Sequence, residues 1–451
     1  MKRFLDKVRE PVEKVLVPVL EAMVFAYVVL SEMLVVSYGG RYVYLYIAQV
    51  LFIGIVCYMI LERRFIAVRS VPAALIAVAM FFSFSSALRE MELPYVQTAA
   101  VEWIQFIVLY FIAAFSEDRI RRSNRFLAGL RVAFRAALLL QCVFILLEFL
   151  ADKFLEINLR NLIFFDFLKV ELPDVLYDPE KAVTGLMFSQ VLLPPSLVMG
   201  MMMFTNPLIR LLFIGAAFVA RSSTSIVGVC LATVLLFIGA LIEGKFKPSA
   251  VKKAWEKTAL WKKIVYPLAA VVLILAGIFG GVFEKALSEV HYLLSRLAVP
   301  EKEMHIKYYL DFGKAFSGES FYQKVFGFGN GCSGFPMKAL GYNYFEECMI
   351  VESDILDTLL SKGIFGFIAC YSLPISVMVR GFKTDKRYVI FPLCLFVMAF
   401  GYNVQWHYTL FFLLILAACL AEKKDLFTAG AMRKKGPFNG GTAEKKGRRR
   451  A

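Results

Sequence analysis

Residues Glu352–Gly366 read "ESDILDTLLSKGIFG", and the chain runs on through "FIACYSLPISVMV". Three carboxylates, Glu352, Asp354 and Asp357, open a segment greasy enough to enter lipid. Acids in a first helical turn complement the macrodipole for about 0.3–1 kcal/mol, and helix capping accounts for most of what Asp354 suggests. Glu352 stands at the junction of loop and bilayer. Helical spacing carries its face through Leu359 to Gly363 and Gly366, and small residues there let a neighbouring helix approach closely. Asp354, Asp357 and Ser361 follow a second face.

The rest of the chain has the same character. Of 451 residues, 59% are hydrophobic and 43 are Phe, against about 45–50% apolar in soluble domains. Apolar stretches long enough for a bilayer recur near 15–37, 43–61, 70–87, 101–115, 126–149, 183–204, 207–220, 222–242, 263–283, 355–379, 388–402 and 407–421. These predict an all-α polytopic membrane protein with about twelve transmembrane helices. An even number puts both termini on one side, and that choice places most of the 51 Lys and Arg in cytoplasmic segments, as the positive-inside rule expects. The net charge of +15 then faces anionic lipid rather than nucleic acid. The N-terminal apolar run contains Glu21 and Glu32 and no clear cleavage site, so it reads as a retained first helix.

The composition predicts a single membrane domain over 1–421 and a basic, disordered cytoplasmic tail over 422–451. The largest loop, 284–353, falls on the extracytoplasmic side, with amphipathic helices expected at 284–298 and 302–316 before the turn "VFGFGNGCSGFP". A long loop late in the chain is where a working site is sought. Gly327, Gly329, Gly331 and Gly334 lack the spacing of a nucleotide fingerprint and read as a tight turn. Cys332 and Cys348 share this loop, where a disulfide survives. Arg221 leads "RSSTSIVG", and a guanidinium beside a hydroxyl-rich helix start suits a phosphate as well as it suits snorkelling. Arg296, His305 and Lys307 supply further cations in the loop, while His291 and His407 read as isolated. No His/Cys cluster has metal-ligand spacing, and no Ser-His-Asp order stands out.

Over roughly residues 180–420 the chain resembles the O-antigen polymerase and O-antigen ligase superfamily of bacterial membrane glycosyltransferases. The resemblance is carried by "ARSSTSIVG", by "HIKYYLDFGKAF" leading to "VFGFGNG", and by "ESDILDTLLSKGIFGFI". It implies a fold of the GT-C type in a bacterial inner membrane, and a polyprenyl-pyrophosphate glycan donor at the outer face. It implies neither metal nor other cofactor, with a flippase and a chain-length regulator as partners. Arg221 falls on the arginine that holds the donor's phosphates. Glu352 falls where ligases carry a histidine, which favours a polymerase. Near His305 the family places an arginine, so Arg296, His305 or Lys307 supplies the second phosphate contact, and Asp354 joins the substrate-binding set. Glu352 would then be the catalytic base. A ligase is the alternative within the family, and a flippase the alternative outside it.

Overall fold

Ser70, Ser123, Asn206, Ser222 and Ser353 each stand just before an apolar run, and each caps a helix with its side chain. Such caps satisfy backbone N–H groups that a helix start leaves unpaired. The computed structural model describes residues 2–38, 41–170, 183, 185–187, 192–220, 222–244, 304–341, 351, 353–401, 407–421 and 426–427, with scattered positions between 249 and 295. Its helices are α1 (Lys2–Ser31), α2 (Val43–Glu62), α3 (Val71–Glu90), α4 (Leu93–Arg122) and α5 (Asn124–Leu155). Then come α6 (Leu193–Met203), α7 (Pro207–Val219), α8 (Ser223–Ile242), α9 (Met304–Ser317), α10 (Phe321–Phe326) and α11 (Gly334–Ala339). The described chain closes with α12 (Asp354–Gly381), α13 (Arg387–Met398) and α14 (Tyr408–Leu420). A two-residue hairpin, β1 (Ser37–Tyr38) with β2 (Arg41–Tyr42), joins α1 to α2.

Among the described residues, seven helices are long and apolar enough to cross a membrane: α2, α3, α4, α5, α8, α12 and the Lys14–Ser31 part of α1. The protein is therefore an all-α, multi-pass membrane protein. Four apolar runs expected as full spans become shorter helices, α6, α7, α13 and α14. At 11–13 residues and 1.5 Å per residue they reach about 17–20 Å, short of the roughly 30 Å hydrocarbon core. The first run ends in a hairpin instead of continuing to 37, because Ser37–Tyr42 pairs as strands. The run at 183–204 is helical only from Leu193, after a separate 3₁₀ turn at Gly185–Met187. The span expected at 263–283 and the amphipathic helix expected at 284–298 lie largely outside the described residues, as does the basic tail. The second amphipathic helix is α9.

Helix α14 is buried along nearly its whole length, as a helix apolar all round must be. It packs on α12, α4, α1 and α6. Around it, α3 lies between α4 and α12, while α6, α7, α8 and α13 form the opposite side. At the α2–α3 and α4–α5 junctions the sequence's basic links are paired. Arg64 and Arg122 reach Asp118 at 2.6 and 3.2 Å, Arg121 reaches Glu117 at 2.7 Å, and Arg119 reaches Glu21 at 2.7 Å. "SEDRIRRSNR" is therefore hardly a link, since α4 runs through it to Arg122 and Ser123 alone separates it from α5.

Candidate functional site

Two glycines organise the site. Gly363 interrupts α12 with φ 65° and ψ −172°, and Gly327 ends α10 with φ 82° and ψ −179°. That region of backbone space is essentially restricted to glycine. A Cβ on Gly363 would stand 2.3 Å from the Val325 carbonyl oxygen, and one on Gly327 would stand 2.2 Å from that of Ser361. Breaking the helix frees carbonyls, and the glycine turn takes them. Phe328 N–H donates to Leu360 O at 2.8 Å, Gly329 N–H to Ser361 O at 3.1 Å, and Ser83 Oγ to Ser361 O at 2.6 Å. Irregular backbone among membrane helices is tolerated when protein satisfies it in this way. Spacing suggested that Gly363 and Gly366 admit a neighbouring helix. At Gly363 that neighbour is α10, through the backbone of Val325 and Phe326, whereas at Gly366 the nearest atoms are those of the Lys362 side chain.

The break also explains where the acids lie. Tyr371 OH donates to Asp354 Oδ2 at 2.9 Å, although a straight helix would separate residues 17 positions apart by about 25 Å. Helix α12 is therefore two arms, 354–362 and 364–381, folded toward each other at Gly363. Asp354 and Asp357 do stand in the first turn of α12, where acids complement the helix dipole, but Asp354 is only 3% exposed, and the capping side chain is Ser353. Asp357 is fully buried and accepts from Ser333 Oγ at 2.5 Å, while Ser333 Oγ accepts from Val351 N–H at 2.9 Å. Tyr309 of α9 hydrogen-bonds Ser353 at 2.6 Å and donates to Phe400 O at 3.0 Å, which brings α9 onto the start of α12.

Behind the turn lies a cavity of about 40 Å³ lined by Glu102, Asn330, Gly331, Lys362, Cys370 and Tyr408 among apolar groups. It has room for water. Lys362 is 5% exposed and is an electrostatic neighbour of Glu102. Tyr408 OH reaches Glu102 Oε2 at 3.4 Å and hydrogen-bonds Gln105. Asn330 Nδ2 donates to Met80 O at 2.9 Å, tying the turn to α3. Ionisable groups held among membrane helices mark functional sites more often than structural ones. Among the described residues no three His, Cys, Asp or Glu side chains converge to hold a metal ion.

Of the site residues read from sequence, Arg221, Arg296 and Glu352 lie outside the described residues, as does the side chain of His305. Lys307 is exposed on α9. Cys332 is buried, its thiol directed at Tyr95 O at 3.5 Å, and Cys348 lies outside the described residues. Glu102, Lys362 and Tyr408 escaped the sequence reading, which named Asp357 as an acid of the second face without giving it a role. The available signal was a carboxylate or lysine inside an apolar run, as in "AAVEWIQF".

His407 is not isolated. Its Nε2 lies 2.7 Å from Ser196 Oγ and 3.4 Å from Glu32 Oε1, and Ser196 Oγ donates to Glu32 Oε2 at 2.6 Å. This Ser-His-Glu set is not a nucleophile. His407 Nδ1 accepts the Leu410 N–H at 3.2 Å, which leaves the proton on Nε2, so the imidazole donates to the serine instead of accepting from it. The three residues clamp the ends of α1, α6 and α14.

Glu319, buried between α9 and α10, has no hydrogen-bond partner on either oxygen among the described residues. Burial pushes its carboxyl up from 4.5 to about 8, against the opposing charge of Lys324. The folded state thus holds a proton that the unfolded chain releases. The resulting stability is full below pH 4.5 and is lost as pH rises through about 8. Hydrogen exchange over 304–326 should therefore quicken between pH 5 and pH 9 beyond the intrinsic base-catalysed rate. Glu319→Gln should remove that excess, and an unchanged excess in the variant would assign it elsewhere.

No protein family model matches the chain, and no curated protein matches it.

Proposed function

We propose that the protein polymerises surface-polysaccharide repeat units, taking glycan from a polyprenyl-pyrophosphate donor at the outer face of a bacterial inner membrane. The observation that supports this reading is the union of the 304–341 segment with a broken membrane helix beside ionisable side chains. A loop built into the helices gathers polar groups beside a broken membrane helix, an arrangement that suits a substrate carried on a lipid. The reading carries about twelve spans of GT-C type with both termini cytoplasmic.

In the reaction an acceptor hydroxyl attacks the anomeric carbon of the donor. The bond from that carbon to the phosphate oxygen breaks, and polyprenyl pyrophosphate leaves with the electron pair. Glu352 receives the hydroxyl proton. Arg221, with a second cation from Arg296, His305 or Lys307, stabilises the charge growing on the leaving group. Asp354, being bonded to Tyr371, holds the first arm of α12 in place under Glu352's neighbour Ser353. Arg221→Lys keeps the charge but loses the planar fork, so polymer yield should fall sharply at unchanged expression; normal polymer would return Arg221 to a snorkelling role.

The broken helix with buried carboxylates also suits a flippase, since transporters build binding sites from discontinuous helices. Deletion in the native host separates the readings by glycan chain length on a gel. Single-repeat product means polymerase, unattached polymer means ligase, and no surface product means flippase. Topology is checked by reporter fusions at Lys247 and Ser317, which should report opposite sides; one side for both would overturn the arrangement.

A further inference from the structure

The end of α5 and the chain just beyond it carry their polarity inside out. Arg160 is 1% exposed, its Nε 3.5 Å from Oε1 of the buried Glu148 on α5. Large apolar side chains face the other way. Leu155 is 66% and Phe167 80% exposed, and Ile157, Leu162 and Leu168 are exposed with them. A loop in water would turn the guanidinium outward and these residues inward. Phe164 is buried against Phe144 of α5, ring centroids 5.8 Å apart. The segment, which includes a short π-helix at Asn161–Phe167, is thus packed on α5 along one side and left apolar along the other.

Two observations identify what meets the apolar side. The first is continuity. Leu140, Val143, Leu147, Leu150 and Phe154 are exposed along α5 at helical spacing, on a helix long and apolar enough to cross a membrane. That lipid-facing stripe runs directly into Leu155 and Ile157. The second is depth. Arg135 is the last basic residue of α5 before Lys153, and it is held by the carbonyls of Met203 and Phe427 at 3.1 and 2.9 Å. The cost of a guanidinium in hydrocarbon sets it near one edge of the bilayer. From there the hydrocarbon thickness of about 30 Å, at about 1.5 Å per residue, is used up at Leu155. Lys153, Glu156, Asp166 and Lys169 are exposed around the patch, as charges are at headgroup level.

We propose that residues 154–168 form a foot lying in the plane of the membrane at the C-terminal end of α5. Its partner is the phospholipid surface, with the apolar side sunk at the boundary of headgroups and acyl chains. The inward arginine gives the foot a clamp. Glu148 meets Arg160 with one oxygen and accepts the Gly185 N–H with the other at 2.9 Å, while Leu186 packs with Phe164. Contact with lipid is thereby tied to the approach to α6. The foot stands whether or not the protein makes polymer.

Tryptophan fluorescence of the full chain in phospholipid nanodiscs tests the placement. Phe167→Trp and, separately, Leu162→Trp each add an indole at an exposed position, read against the wild type's four tryptophans. The added emission should be lost to phospholipid brominated near the ester, lost less to phospholipid brominated near the methyl end, and kept in aqueous iodide. Arg160→Gln combined with Phe167→Trp should release the foot, so that loss to bromine falls and loss to iodide rises. Unchanged quenching in that variant would strike the clamp, and if it fails a thermal melt the two tryptophan variants decide the placement alone. Loss to iodide only would make the segment a loop in water. Loss to neither quencher would put a second copy or another protein on the patch, and strongest loss to bromine near the methyl end would make it part of a span. Each of these three results overturns the foot.

Discussion

Glu352→Gln should lower chain extension on lipid-linked repeat units by about 10²–10⁴-fold, the usual cost of losing a positioned general base. The substitution keeps size and removes the carboxylate proposed to accept the acceptor's proton, so insertion and thermal stability should remain those of the wild type. An in vitro assay with purified protein reads the rate, and a melt reads the fold. Asp354→Asn is not a silent control for this experiment. Asp354 is buried and accepts a hydrogen bond from Tyr371, so its replacement should move the melting temperature as well as the rate. A smaller rate loss than that of Glu352→Gln, accompanied by destabilisation, marks a positioning residue. Wild-type activity in Glu352→Gln would leave the acids at 352–357 as structural groups, and the opposite ranking would transfer the base to Asp354.

Gly363→Ala should destabilise the protein by about 3 kcal/mol or more. Left-handed backbone costs a side chain about 1–2 kcal/mol, and forcing atoms into filled space costs about 1–3. The neighbour is a backbone carbonyl 2.3 Å from the new Cβ, which no rotamer change relieves. Gly327→Ala meets the Ser361 carbonyl across the same contact, so the two losses should not add. Gly313 provides the contrast, because it lies inside α9 with nothing within 4 Å of its Cβ position. Gly313→Ala should stabilise the chain by about 0.4–1 kcal/mol. Thermal unfolding in detergent measures all three. A tolerated alanine at Gly363 would mean that α12 runs straight and that the turn does not wedge it open.

The membrane class was legible because lipid imposes long apolar helices, and long apolar runs need no partner to be recognised. The helix starts were legible for a similar reason, since Ser70, Ser123, Ser222 and Ser353 cap within three residues of themselves. The glycine turn was visible as a turn. Its destination was not, because a glycine's permissive backbone says nothing about which carbonyl will approach it.

Local chemistry and apolar length thus determined, from sequence alone, that this chain is an all-α protein of many membrane helices with a long, turn-bearing loop. Tertiary structure alone decided that α12 folds back at Gly363, that Asp354 bonds Tyr371, and that Glu32, Ser196 and His407 meet. These are pairings between residues 17 to 375 positions apart. Helical periodicity extends one element at a time, so contacts made by breaking a helix, or by closing three helices on one buried polar group, leave no period to read.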